Sequence, residues 1–522
     1  MIYLIHQTID ATAEKFPDNE AVQIYDQRLT YTQLVERSNS LARMLQETGV
    51  RRGDRVGIYL GKSLETAVSI YGVMKAGAAY VPLDPSAPTS RIAYVIRDCG
   101  IKHIITQPSK AELLQKIQAE NTALEYALGI EDDNDIPVNC ISWGEIDNVP
   151  SGGLDDVNII DQDLAYIIYT SGSTGNPKGI MHTHYSGLSF AKWAAFAYDF
   201  TATDRLTNQA PLHFDMSIFD FFASAVACGT TVIIPDEYMR MPASYSKLLA
   251  DEKITTIFTV PFAISQLLFR GALEQRDLSS LRWIVFGGDT HSPAHIRQLM
   301  AMLPHTKFSH MYGPAETNGC TYNNIESLPD DPDEPIPIGR PCENMRGLVI
   351  DETDQPVAPG ESGELLMRGP TLMQGYWNRP ELNKKVFYRR NIFEDYQEVF
   401  YRTGDLVEIL PDGQYKFIGR KDRQVKIRGY RVELDEIEMA LMSHPQVEEA
   451  AAFPVENGDG AKHIEAAVKA KNAQNLISTE LNQHIKTQLP WYAIPAKIFT
   501  VETFPRTPTG KINRRKLQAQ AN

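Results

Sequence analysis

Leu34, Leu41 and Leu45 recur on one helical face ahead of Gly49, and the continuous apolar run at residues 56–60, after a Gly-Asp turn, has the length of a buried strand. A helix over residues 63–75 and a strand over 79–81 complete a βαβ unit. The same alternation returns at residues 255–260, 262–269 and 283–286, so the large N-terminal part reads as α/β. From Gly347 to Phe417 the texture changes to short strands and turns, punctuated by Gly360, Gly363, Gly369 and Pro411-Asp412-Gly413, which predicts a β-rich subdomain. The charged run Gly419-Arg420-Lys421-Asp422-Arg423 marks a hinge or linker, and a solvated turn fits it equally well. Beyond it, Leu434, Ile437 and Leu441 give an amphipathic helix and residues 447–453 a strand, so a small α+β domain closes the chain. The expected fold class is therefore α/β. The division is an N-terminal core over 1–421, with its β-rich part at about 347–417, and a small C-terminal domain over 422–522.

A length of 522 residues exceeds what one hydrophobic core serves. The net charge of −15 argues against a nucleic-acid surface and leaves small molecules, or a partner with a local basic patch, as ligands. Five scattered cysteines form no C-x-x-C pair, which fits a reducing, cytoplasmic setting and speaks against zinc. Residues 1–10 lack the basic region and cleavage site of a secretion signal, and no apolar run is long enough to span a bilayer. A monomer or weak dimer is expected.

The densest chemistry is Tyr169-Thr170-Ser171-Gly172-Ser173-Thr174-Gly175-Asn176-Pro177-Lys178-Gly179, directly behind the apolar run 165–168. Glycines let a backbone approach phosphate oxygens, hydroxyls donate hydrogen bonds, and Lys178 adds positive charge. It is not a Walker A loop, since Asn176 and Pro177 stand where Gly-Lys is required.

With it, in order, stand Met74-Lys75-Ala76-Gly77-Ala78-Ala79-Tyr80-Val81-Pro82-Leu83-Asp84-Pro85, Phe214-Asp215-Met216-Ser217, Tyr312-Gly313-Pro314-Ala315-Glu316-Thr317, Tyr401-Arg402-Thr403-Gly404-Asp405, Gln424-Val425-Lys426-Ile427-Arg428-Gly429-Tyr430-Arg431-Val432-Glu433 and Thr507-Pro508-Thr509-Gly510-Lys511. This ordered set resembles the adenylate-forming enzymes, in particular the adenylation domains of nonribosomal peptide synthetases. Ala315 stands for a threonine, Asp220 for a glutamate and Asp435 for a glycine of the usual pattern.

The resemblance implies that a substrate carboxylate attacks the α-phosphate of ATP, giving an acyl-adenylate and pyrophosphate, and that positioning and fixed positive charge carry the step. Lys511 is then the cation reaching both carboxylate and phosphate, and Glu316 the magnesium (Mg2+) carboxylate. Tyr312 would stack on adenine, or be a core aromatic; Asp405 would accept the ribose hydroxyls, or serve its turn. The ATP site as a whole would draw on Thr170, Ser171, Gly172, Ser173, Thr174, Lys178, Gly288, Tyr312, Gly313, Thr317, Asp405 and Arg420.

Asp215 decides the substrate class. In amino-acid-activating members an aspartate here pairs with the α-ammonium; the competing role is an N-cap for a helix over 217–227. By alignment the substrate pocket would comprise Met216, Phe219, Thr259, Val285, Gly287, Met311, Gly319 and Cys320, which offer no charge to pair a charged side chain. A small or medium apolar amino acid is favoured, with ligases that load L-proline onto a carrier protein the nearest likeness and D-alanine carrier-protein ligases next.

In the second reaction a phosphopantetheine thiol attacks the adenylate. The resemblance implies rotation about Asp422, bringing Lys426 to Gly429 beside a thiol tunnel gated by His213, a residue that could equally be core packing. The sequence ends at Asn522 with no carrier-type segment, so a separate carrier protein is expected, with coenzyme A as the other acceptor; basic residues within 423–431 would meet an acidic carrier. Two alternatives stay open: an acyl- or aryl-CoA ligase of the same fold, and a non-catalytic nucleotide-binding or carrier-docking protein.

Overall fold

The computed structural model describes the chain apart from residues 132–135, 153, 155–156, 173–174, 330, 332–333, 457–461, 472–477, 507–511 and 522. Among the described residues, one eight-stranded sheet runs Gly375–Tyr376, Lys178–Thr183, Leu164–Thr170, Ala79–Pro82, Arg55–Ile58, His103–Ile105, Tyr126–Leu128, Asn139–Ile141, parallel from Leu164–Thr170 onward. A nine-stranded sheet runs Arg340–Pro341, Thr321–Asn324, Lys307–Tyr312, Trp283–Gly287, Thr256–Thr259, Arg205–Asn208, Thr230–Ile233, Glu20–Ile24, Gln27–Thr30, with a parallel centre.

The helices Tyr31–Glu47, Leu64–Lys75 and His184–Ala197 share one apolar cluster with both sheets. In Leu64–Lys75 every residue except Glu65 is buried, as a helix apolar all round requires. Its buried Lys75 is satisfied by Asp10 and Asn39, each at 2.7 Å, because an unpaired buried ammonium would be expensive. Thr30 and Thr183 close capping boxes at the other two helix starts. The second face of the nine-stranded sheet packs a separate cluster: Ile257, Ile284 and Phe286 point there, while Phe258 and Val285 point to the shared core. This period-2 alternation fixes which side chains can reach the space between the sheets.

The expected β-rich part is a five-stranded antiparallel sheet of Arg346–Ile350, Ser362–Arg368, Tyr396–Ile409, Phe387–Phe393 and Tyr415–Arg420. The irregular segment 421–423 then leads into a hairpin, Gln424–Ile427 with Tyr430–Glu433, and a three-stranded sheet of Val447–Glu456, Lys462–Ala470 and Lys497–Thr500 packed on helix Leu434–Met442. One expectation is corrected. The helix expected over 217–227 is interrupted: Met216–Ile218 is α, Phe219–Ala223 a π turn, Ser224–Val226 α again.

Candidate active site

A cavity of about 460 Å³ opens at the C-terminal ends of the parallel strands of the nine-stranded sheet, where α/β sheets bind ligands, and it is lined from both domains. Asp215 lies on its wall. The Phe214 N–H donates to the Pro211 carbonyl at 2.9 Å and Ser217 Oγ to the Phe214 carbonyl at 2.6 Å, which pins the turn that presents it. The Asp215 side chain makes no capping hydrogen bond, so the N-cap alternative is not realised. Burial raises its pKa, and the Lys426 ammonium opposes that shift.

Met216, Gly287, Met311 and Gly319 line the cavity as expected. Four expected positions do not. Phe219, Val285 and Cys320 are fully buried behind it, and Thr259 faces a neighbouring cavity. For Thr259 the reason is register: on Thr256–Thr259 it is Phe258 whose side chain faces the shared core, so that aligned position is off by one. Phe190, carried by His184–Ala197, is the other aromatic wall that the sequence reading missed, and Phe219 packs behind both, 4.7 Å from the Phe258 ring and 6.3 Å from that of Phe190. Gly319 matters for space: a Cβ there would stand 2.5 Å from Met311 Sδ and 2.8 Å from the Phe190 ring.

Thr170, Ser171, Gly288, Tyr312, Gly313, Asp405 and Arg420 line the same cavity. Asp405 and Arg420 are cross-strand partners, which explains their 2.6 Å ion pair; the Tyr312 hydroxyl donates to the other Asp405 oxygen. Arg420 also grips Asp422 through two 2.6 Å bonds, so the expected hinge residue is tied to the expected ribose carboxylate through one guanidinium. Thr317 is a correction: it is wholly buried, and its hydroxyl donates to the Pro314 carbonyl at 3.1 Å. Gly172 is buried off the cavity wall, its carbonyl accepting from Gly175 N–H at 3.0 Å. Ser173, Thr174 and Lys511 lie outside the described residues.

Glu316 is fully buried. Its Oε1 accepts from the Tyr376 hydroxyl at 2.6 Å and from Arg431 Nη1 at 3.0 Å, its Oε2 from the same Nη1 at 3.1 Å, and Lys178 Nζ is 3.6 Å away. Burial alone would raise its pKa; Arg431 and Lys178 overcome that and hold the carboxyl far below the usual range. Burial, then repulsion from Arg431, lowers Lys178 to about 8. Arg431 and Tyr376 were not singled out from sequence, although Arg431 sits inside a quoted motif.

The hairpin 424–433 is seated in the site. Lys426 and Gly429 line the cavity, the Ser171 hydroxyl donates to the Arg431 carbonyl at 3.0 Å, and the Tyr430 ring meets Phe214 edge-on at 4.8 Å. Lys462 to Asp289 at 3.1 Å joins the two domains at the cavity, and Arg91 to Glu436 at 2.6 Å joins them away from it. A second cavity of about 730 Å³ shares His213, Phe214, Met216, Phe258 and Gly429 with the first and continues past Lys62, Trp491 and Arg428. Burial lowers the pKa of His213, and the Asp84 carboxylate opposes that shift. The basic patch expected within 423–431 is not formed: Arg423 pairs with Glu438 at 2.6 Å and with Asp435, Lys426 and Arg431 face the site, and of the three arginines Arg428 alone is exposed.

Residues 9–377 match the family model "AMP-binding enzyme", and residues 436–511 match "AMP-binding enzyme C-terminal domain". The chain belongs to the AMP-binding enzyme family. It is an AMP-forming ligase. This AMP-binding enzyme is 38% identical over 516 residues to one of the linear gramicidin synthase proteins of Brevibacillus parabrevis, covering 98% of this chain and 10% of that protein. The chain therefore spans about a tenth of the length of that relative. It is 31% identical to an L-proline–[L-prolyl-carrier protein] ligase of Pseudomonas fluorescens, with 99% of both chains covered. Among solved structures, an amide bond synthetase from Marinactinospora thermotolerans superposes with a TM-score of 0.87 at 23% identity over 99% of both chains. A nonribosomal peptide synthetase protein containing adenylation and carrier domains superposes with 0.82 at 24% identity, over 99% of this chain and 84% of that one. These confirm the adenylate-forming fold. No described helix of this AMP-binding enzyme is long and apolar enough to cross a membrane.

Proposed function

We propose that this enzyme activates a small or medium apolar amino acid, L-proline being the best match, as its aminoacyl-adenylate and transfers it to the phosphopantetheine thiol of a carrier protein. The observation that carries the reading is Asp215: a carboxylate free of any capping bond, in a cavity whose other walls include Met216, Phe190, Phe258, Met311 and Gly319. A carboxylate held there is matched by a substrate that brings its own ammonium, whereas a fatty or aryl acid brings no cation to it. The relative that loads L-proline, alike over its whole length, supports the choice of substrate.

In the first step a carboxylate oxygen of the amino acid bonds the α-phosphorus of ATP as the bond to pyrophosphate breaks. Thr170, Ser171, Gly288 and Gly313 line the cavity and would cradle phosphate, and Asp405 would accept ribose hydroxyls; the resemblance assigns to Lys511 the cation of this step. In the second step the thiol sulfur bonds the acyl carbon, AMP departs, and the thiol proton is released to AMP or water. The seated hairpin, with Lys426 at the cavity, and the adjoining second cavity past His213 support reading this arrangement as the thioester-forming one, with Asp422 as the pivot. Amino-acid-dependent ATP–pyrophosphate exchange tests the reading. Strongest exchange with L-proline or another apolar amino acid is expected, and strongest exchange with a charged amino acid or a fatty acid defeats it.

A further inference from the structure

Glu316 is the carboxylate proposed to meet the divalent cation, yet in this structure its donor set does not fit one. A Mg2+ ion needs a carboxylate lone pair facing it at about 2.1 Å. Here Oε1 accepts from Tyr376 and Arg431, Oε2 accepts from Arg431, and Lys178 stands 3.6 Å off, with the whole side chain buried. No three His, Cys, Asp or Glu side chains gather into a metal-holding group among the described residues.

We infer that Arg431 is a built-in counter-cation that takes the metal's place, so that seating of the hairpin Gln424–Ile427/Tyr430–Glu433 and occupancy of Glu316 by a divalent cation exclude each other. The geometry supports more than a chance contact. Arg431 is anchored at both ends, its carbonyl accepting from Ser171 in the phosphate loop at 3.0 Å while its guanidinium meets both Glu316 oxygens at 3.0 and 3.1 Å. One residue thereby reports to the hairpin whether Glu316 is free. By linkage, the metal loosens the hairpin by the same factor by which the seated hairpin weakens the metal. This inference rests on the reading of Glu316 as the metal carboxylate.

The test uses Mn2+ with ATP, without amino acid or acceptor. Binding is read by water-proton relaxation, and seating by hydrogen exchange of the amides of Tyr430–Glu433. In the wild-type protein, Mn2+ added to the ATP-bound enzyme should speed exchange of these amides about tenfold over ATP with chelator. Arg431→Met should bind Mn2+–ATP about tenfold more tightly than wild type, Arg431→Lys should fall between, and Glu316→Gln should bind more weakly. Unchanged or slower exchange in the wild type, which requires no variant to fold, overturns the inference. So does equal or weaker Mn2+ binding by Arg431→Met when Glu316→Gln is weakened. Unchanged binding by Glu316→Gln is a different failure: it removes the metal assignment of Glu316 and the inference with it.

Discussion

Replacing Gly429 by alanine separates the two half-reactions, and the structure sets the size of the effect. Gly429 is the second residue of a two-residue turn between Gln424–Ile427 and Tyr430–Glu433, with φ of +87° following +52° at Arg428, the pairing that a tight hairpin of this hand requires. A Cβ there costs about 1–2 kcal/mol in the left-handed region. That strain is carried wherever the hairpin sits, so it lowers stability and leaves the choice of orientation alone. The contact across the cavity is different, because the new Cβ would stand 2.5 Å from Val260 Cγ1 and 3.1 Å from Val260 Cβ, and only when the hairpin is seated. Overpacking of this kind costs about 1–3 kcal/mol, which is about 5- to 150-fold in the seated population. Single-turnover transfer of the aminoacyl group to a thiol acceptor should fall by that factor, while ATP–pyrophosphate exchange stays within about twofold. Val260→Ala removes the closest atom, so transfer by the double variant should recover toward that of Val260→Ala alone. Equal loss of both half-reactions, or an undiminished Gly429→Ala defect in the Val260→Ala background, refutes the reasoning.

Gly319→Ala should shift amino-acid preference in the exchange assay toward smaller side chains by about tenfold, since its Cβ would enter the space between Met311 and Phe190; an unchanged preference order contradicts the cavity assignment. Arg91→Met should strand Glu436, whose side chain is only 3% exposed, at a cost of up to about 3–5 kcal/mol to domain seating. Thioester transfer should drop with exchange retained, and wild-type transfer counts against a role for this pair. Burial lowers His182, His184 and His310 to about 4 and His291 to about 3. The unfolded chain takes up protons near pH 6.5 that the folded one refuses, so stability held above that pH is lost as it falls toward 4, by up to about 1.4 kcal/mol per pH unit for each histidine. Urea midpoints at pH 7 and pH 5 should diverge less for His184→Gln than for wild type, and equal divergence disproves the histidine contribution.

The βαβ alternation, the β-rich segment and the closing α+β domain were legible because apolar periodicity is a local property that the sheets preserve. Leu64–Lys75 and Ala79–Pro82 fall almost where residues 63–75 and 79–81 were expected. The cavity wall was only half legible. Motif spacing places Asp215, Met216, Met311 and Gly319, which lie in or beside motifs, but Phe190 comes from a helix that carries no motif, and the choice between Phe258 and Thr259 turns on strand register, which spacing alone leaves one residue uncertain. Arg431 carried the signal of a basic residue within a motif. Its pairing with Glu316 could be found only once a separate domain had been seated against that carboxylate.

The central claim is that Asp215 reads the α-ammonium of the substrate. It is tested most directly by comparing kcat/KM for adenylation of the best amino acid with that of the same acid lacking its amino group, in wild type and in Asp215→Ala. Truncating one partner of a buried charge pair costs about 2–5 kcal/mol, so the wild-type preference should be at least about 30-fold. In Asp215→Ala it should collapse to within a few fold. A preference that survives the substitution undiminished would contradict the account.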